Sequence, residues 1–446
     1  MAACVHYEAR PLTPSRTFDG LAARTLSDPG LAQAVKPSVQ LPVWPPAAWD
    51  LPALTAAAFY FHPDLEVARA SWAEARTGLV AAGERPNPAV SAGPGFNSST
   101  PAHTVTPWIL NLDFDFTIET AGKRRYRVDQ AQHLSDSARF AIAGKAWQVR
   151  ARVRQALLDL YAATETAAAL DRQREIQAAN VVLLQRQLAA GAVSSVDVTQ
   201  ARMTLDGIRM AIVDAERQRQ DARAQLATAI GIPVSALEGV RLDFTSFTHA
   251  PADVPAAGAA REALLNRADV LSALADYDAS QSALQLEVAK QYPDLHLGPG
   301  YQMDQGSQKW TMLLPVTLPV FNRNRGAIER ADAHRAVAAA EMTAVQARAL
   351  GAVDRALAAY RISADKLAVA NQLLDAARSL EARAQAQLTA GEISRLDLGL
   401  VQVERAAREL ARIQAIVEQQ QAAGNLEDAM QRPVDLPIDP LARNPQ

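Results

Sequence analysis

The feature that most constrains this chain is that it is written twice. His62 through Phe96 aligns without gaps to Arg267 through Tyr301, so that Asp64 falls on Asp269, Leu65 on Val270, Leu79 on Leu284 and Pro88 on Pro293. Gly93-Pro94-Gly95-Phe96 then matches Gly298-Pro299-Gly300-Tyr301. A second block pairs Trp108 with Trp310, and a third pairs Leu188 through Asp197 with Leu388 through Asp397. Three collinear blocks identify a duplication, and a fold assigned to this sequence must use the same plan twice.

Within each copy the punctuation predicts a helix, two strands, a very long helix, a tip turn and a return helix. The stretches from about Lys123 to Leu188 and from Gly326 to Leu388 hold no proline, whereas Pro and Gly crowd the predicted strands. Roughly 65 helical residues at 1.5 Å each reach about 100 Å. A helix of that length fits a coiled-coil-like assembly rather than a compact globule. The low aromatic content, 5%, and the abundant alanine suit helices packed closely along small side chains. The return helices run from about Ser194 to Ile230 and from Ser394 to Met430. At the tips, Gly191 and Gly391 are expected to take the left-handed conformation that ends a helix. Ser194-x-x-Asp197 and Ser394-x-x-Asp397 read as N-cap pairs opening the next one.

The strands alternate. Trp108, Leu110, Leu112, Phe114, Phe116 and Ile118 share one face; Ile109, Asn111, Asp113, Asp115, Thr117 and Glu119 share the other. Ten or so residues of that pattern, opened by an aromatic, match a membrane β-barrel stave whose polar side, with Asn111, Asp113 and Asp115, faces a lumen. The second copy keeps the apolar parity at Trp310, Met312, Leu314, Val316, Leu318 and Val320, although Pro315 and Pro319 interrupt its opposite face. Four strands cannot close a barrel, since about eight is the smallest that does. Open edges are not tolerated in lipid. The pattern therefore demands further copies of the chain, and three would supply twelve staves.

Other classes find little support. Of 446 residues, 45 Lys+Arg stand against 48 Asp+Glu, a net charge of -3, which gives no electrostatic case for nucleic acid. No apolar run is long enough for a transmembrane helix, a test that barrel strands escape. The single cysteine, Cys4, rules out an internal disulfide and a multi-cysteine metal site. The seven histidines (His6, His62, His103, His133, His249, His296 and His334) show no pair at ligand spacing, so neither metal nor other cofactor is expected. No nucleophile elbow, Walker loop or HExxH motif points to an enzyme.

Taken together, the duplicated plan, the paired Pro/Gly strands and the A-G-x-x-S-x-x-D turns resemble the TolC-like outer-membrane efflux channel family over about Asp50 to Gln431. Glu119-Thr-Ala-Gly-Lys-Arg-Arg125 resembles the family's exit from the first strand pair. Leu318-Pro-Val-Phe-Asn-Arg-Asn-Arg-Gly326 resembles the heavy-metal, CzcC/CusC-type branch. The resemblance implies a mainly α protein with a membrane β-barrel: a homotrimer with a twelve-strand barrel in outer-membrane lipid and an α-helical periplasmic tunnel. It implies a passive export duct that docks to a periplasmic adaptor and an inner-membrane RND-type pump, with heavy-metal cations as cargo in that branch. The docking surface would be the tips, Gly191, Ser194, Asp197, Gly391, Ser394 and Asp397, and Asp397 would narrow the pore aperture. Lipoproteins are common in the family, which makes Cys4, after Met1-Ala2-Ala3, the expected acylation site; residues 1–49, rich in proline and polar residues, read as an extended tether. The first repeat then covers 50–250, with strands in 88–119 and a tip near 191. The second covers 251–431, with strands in 293–321 and a tip near 391, and 432–446 form a tail. The competing reading is a periplasmic coiled-coil adaptor, which would share the long hairpins but needs no lipid-facing strand opened by Trp108 or Trp310.

Overall fold

The computed structural model describes residues 6–35, 44–99, 105–249, 261 and 264–432; Cys4 and His103 lie outside them. The elements in order are α1 (Pro14–Ala22), α2 (Pro29–Val35), α3 (Leu51–Phe61), α4 (Pro63–Gly83), β1 (Ala89–Phe96), β2 (Trp108–Ile118), α5 (Lys123–Ala189) and α6 (Ser195–Ile230). After the short α7 (Thr245–Thr248) come α8 (Ala268–Ala289), β3 (Leu295–Asp304), β4 (Ser307–Leu313), α9 (Arg325–Ala390) and α10 (Arg395–Met430). The two longest helices have 67 and 66 residues. Two compact units form, one from residues 1–66, 145–264 and 349–446, the other from 67–144 and 265–348. Each unit draws on both sequence copies.

The first unit is helical. Its main core gathers Leu54, Ala58, Phe61 and Leu65 with Val149, Val153, Leu157 and Tyr161 of α5 and Leu226 and Ile230 of α6. Smaller clusters follow the helices: Val181, Ala201 and Leu205 between α5 and α6, and Leu367, Ala370, Ala415 and Ile416 between α9 and α10. Alanine at such positions lets helix axes approach closely and gains burial with little side-chain entropy to lose. Gly231, at φ 88°, ends α6. A Cβ there would lie 2.9 Å from the carbonyl oxygen of Phe61, so this turn needs glycine for both its torsion and its neighbour. The Arg24 guanidinium donates to Phe61 O (2.6 Å) and Gly231 O (2.9 Å), clamping the N-terminal segment over that turn.

That segment departs from the extended tether expected of it. Residues 6–35 contain two short helices, and Leu26, Leu31 and Val35 are buried in the main core. Two of the prolines that suggested extended chain stand at helix starts, Pro14 within the first turn of α1 and Pro29 as the first residue of α2. Proline is well suited there because its missing N–H has no helical partner to lose.

The second unit holds one antiparallel sheet in the order β1-β2-β3-β4. β1 pairs with β2, β3 with β4, and β2 with β3, so the strand pairs of the two sequence copies merge into one sheet. A two-residue turn at Gln305 (φ 49°) and Gly306 (φ 89°) joins β3 to β4; both torsions are positive, as tight hairpin turns require. The fourth strand is shorter than its apolar parity suggested. It ends at Leu313, and beyond it a lone bridge links Val316 to Leu295. Pro315 and Pro319 have no N–H to give to a ladder, and this removes the pairing that alternation alone would predict.

Candidate functional site

Register divides the sheet cleanly. Phe96 faces Trp108, Val90 faces Phe114, Leu112 faces Tyr301 and Tyr301 faces Trp310, all on one side. Leu110, Phe116 and Ile118 of β2 lie on that side too, as do Leu295 and Leu297 of β3 and Met312 of β4. These side chains stay open: Phe96 is 60% exposed, Trp108 56%, Phe116 42% and Trp310 81%. Phe96 and Trp108 meet edge-to-face at 5.2 Å, and Tyr301 lies 5.0 Å from Trp310. A water-facing sheet buries its apolar side and exposes its polar one; this sheet presents a contiguous apolar face over which none of the described residues packs closely enough to bury it, which marks an interaction surface.

The opposite side carries Asn111, Asp113, Asp115 and Thr117 of β2 beside Gln302 and His296 of β3. His296 Nδ1 lies 3.0 Å from Asp115 Oδ1. Gly300 makes this crowding feasible. A Cβ there would run into the Asp113 carboxylate and come within 2.6 Å of Thr311 Oγ1, so the missing side chain is the space those two polar groups occupy. The outer edges belong to β1 and β4, whose outward N–H and C=O groups have no ladder partner among the described residues.

The Glu119–Arg125 motif builds the turn from β2 into α5. Ala121 and Gly122 both take positive φ, 55° and 74°. Thr120 donates through its amide to Asp294 Oδ1 (3.0 Å) and through its hydroxyl to Pro293 O (2.6 Å). The Lys123 ammonium, nearly buried, donates to Tyr292 O (2.6 Å) and pairs with Asp294 at 2.7 Å. Arg127 holds Glu119 at 2.7 Å while also donating to Ala82 O (2.9 Å) and Glu84 O (3.1 Å). The motif thus ties the first strand-to-helix turn to the start of β3 and to the end of α4. In the second copy Asn324, at φ 59°, donates to Glu287 O at 2.8 Å and supplies the matching turn into α9.

In the helical unit the two tips have one geometry. Gly191 has φ 74° and Gly391 φ 80°. The amide of Ala192 donates to Gln187 O (2.8 Å) and that of Glu392 to Gln387 O (2.9 Å), a helix ending in which a left-handed residue lets the next amide reach back five residues. Ser194 Oγ accepts from Asp197 N at 3.2 Å while Asp197 Oδ2 accepts from Ser194 N at 2.9 Å. Ser394 and Asp397 repeat both bonds at the same distances. Each is a reciprocal capping box. The Ser194 and Ser394 hydrogen bonds hold the Asp197 and Asp397 carboxyls below the usual carboxylate range, so both carboxyls are ionised at neutral pH. Just behind the second tip, Gly399 sits in a helix interior because the buried Asn180 amide of α5 fills the space its Cβ would need. Sequence reading missed this contact, although a glycine at mid-helix signals close approach.

An outer membrane efflux protein family model matches residues 57–232 and 259–431, which takes in the sheet, both junctions and both tips. The chain belongs to that family. Among curated relatives, the cobalt-zinc-cadmium resistance protein CzcC of Cupriavidus metallidurans is 29% identical over 223 residues. That alignment spans 48% of this chain and 52% of CzcC, about half of the relative's length. Among solved structures, the open-state outer membrane channel MtrE of Neisseria gonorrhoeae superposes with a TM-score of 0.70 at 17% identity, over 86% of this chain and 89% of that one. CusC, described in terms of transmembrane channel formation, gives 0.69 at 18% over 88% and 95%. The outer-membrane channel OprN gives 0.69 at 21% over 85% and 89%. These likenesses establish a shared fold.

Proposed function

We propose that this protein is the outer-membrane channel of a tripartite efflux system and exports its cargo passively. The observation that carries the reading is the sheet: four antiparallel strands with one contiguous exposed apolar face, one polar face and two unpaired outer edges. Water penalises such a face and lipid penalises such edges, and joining β4 of one copy to β1 of the next answers both. Three copies make twelve strands, with Asn111, Asp113 and Asp115 toward the lumen and α5, α6, α9 and α10 continuing as a periplasmic tunnel. The tips, Gly191 to Asp197 and Gly391 to Asp397, are the docking surface for a periplasmic adaptor linked to an RND-type pump, and Asp397 lines the aperture. Similarity to CzcC supports heavy-metal cations as the cargo. Cys4, outside the described residues, is the acylation site of the native protein. The adaptor alternative leaves the apolar sheet face without a role.

Reconstitution tests this reading. The full chain should require detergent for extraction from outer membranes and should form discrete, ohmic conductance steps in planar bilayers. A detergent-free monodisperse monomer that adds no conductance would overturn it.

A further inference from the structure

In the helical unit, one charged cluster has no part in the barrel or the tips. Toward its C-terminal end α10 turns Gln420, Gly424, Glu427 and Asp428 to α5, at the spacing of one helix face. Arg154, buried, donates to Gln420 O (2.8 Å) and Gln420 Oε1 (3.1 Å), and Gln420 in turn donates to His249 O (2.6 Å). Gly424 is the hole for that guanidinium, since a Cβ there would lie 3.0 Å from Arg154 Cζ. Glu427 takes Arg150 at 2.7 Å and has Arg154 Nε at 3.7 Å. Arg150 also lies 5.1 Å over the Trp147 ring, and Arg154 5.6 Å over Phe247. Both arginines are therefore committed. Asp428 is left over: its Oδ1 is buried and has no hydrogen-bond partner.

We propose that Asp428 is a proton-sensitive element of this clamp, uncharged when the base of α10 is held firmly to α5 and loosening that hold when it ionises. Burial is the main influence on its carboxyl and raises it to about 6 against the pull of Arg150; the like charge of Glu427 adds to the rise, and Arg154 is a lesser attraction. Those are the charged groups that act on it from α5 and from α10 itself. α9 packs against the same stretch of α10 with Val353, Ala356 and Tyr360. Once ionised, Asp428 competes with Glu427 for Arg150, the cation that acts on it most strongly. The helix that leaves the clamp runs unbroken to Asp397, so the device sits at the root of the second tip. The inference rests on this unit's own packing and holds whether or not the protein is an export channel.

Hydrogen–deuterium exchange of the full chain in nanodiscs tests it, read between pH 5 and pH 7.5 and corrected for intrinsic exchange. Amides over 420–430 should lose about tenfold in protection across that window, the size that a carboxyl moved from 3.8 to about 6 allows there. Asp428→Asn should abolish the step and hold protection near its low-pH value. Should that variant fail to assemble, Asp428→Thr serves as a second uncharged replacement. A wild-type protein with no step, or either variant retaining the same step, overturns the proposal.

Discussion

Replacing Gly391 with valine separates the tip's role from its stability. Gly391 has φ 80°, yet a Cβ built on it meets nothing within 4 Å. The cost of a side chain is therefore torsional alone: about 1–3 kcal/mol for a residue held in a sparsely populated region, with β-branching at the upper end. Such a cost cannot unfold a helix pair whose contacts run through the Leu367, Ala370, Ala415 and Ile416 cluster. It is enough to shift the turn out of the left-handed region and break the Glu392-to-Gln387 hydrogen bond. Gly391→Asn is the control, because asparagine tolerates positive φ. In cells, Gly391→Val should reach the outer membrane at wild-type abundance but lose site-specific crosslinking to the adaptor and the export phenotype, whereas Gly391→Asn should keep both. Normal crosslinking by the valine variant would refute the tip as a shaped docking surface. Equal loss by both variants would refute the torsional argument.

Other expectations follow from single contacts. Gly231→Ala combines φ 88° with a Cβ 2.9 Å from Phe61 O; it should destabilise the helical unit by roughly 3 kcal/mol and lower its thermal midpoint, as strain and overpacking add. Lys123→Met strands Asp294 beside the first strand-to-helix turn and should cost about 3 kcal/mol, as breaking a mostly buried pair does, visible as reduced heat resistance of the assembled protein. Asp397 is held below the usual carboxylate range by Ser394. Its capping contribution is thus present at neutral pH and lost as pH falls through that lowered value. Ser394→Ala should make local exchange at 395–398 faster at pH 7 and weaken its acid dependence, which the remaining residue-394 amide bond to Asp397 Oδ2 preserves in part. If Asp397 lines the aperture, Asp397→Asn should lower the cation-to-anion permeability ratio; an unchanged ratio would leave it a helix cap.

Features coded by a few consecutive residues were legible in the sequence. The A-G-x-x-S-x-x-D turns state their own geometry, since glycine supplies the left-handed residue and serine with aspartate the capping box. β2 could be read from its parity alone. What depends on distant packing could not be read. The joining of β2 to β3 pairs residues nearly two hundred positions apart, as Asn111 with Gln302 does. The desolvation of Asp428 arises only when α10 meets α5, and the Arg24 clamp only when the ends of α3 and α6 are brought together. Two misreadings carried visible signals. Pro315 and Pro319 forecast an early end to β4, and Pro14 and Pro29 mark helix starts as readily as extended chain.

The central claim is that the sheet closes with copies of itself, and crosslinking of its edges tests this most directly. With Cys4 replaced by serine, cysteine pairs placing Ser91 or Ala92 of β1 against Thr311 or Met312 of β4 should be scanned in intact outer membranes. The account predicts that at least one pair oxidises between copies to give covalent dimers and trimers, and nothing larger, that survive denaturation and revert on reduction. Crosslinks confined to single chains across the whole scan, or an unbounded ladder of larger species, would contradict it.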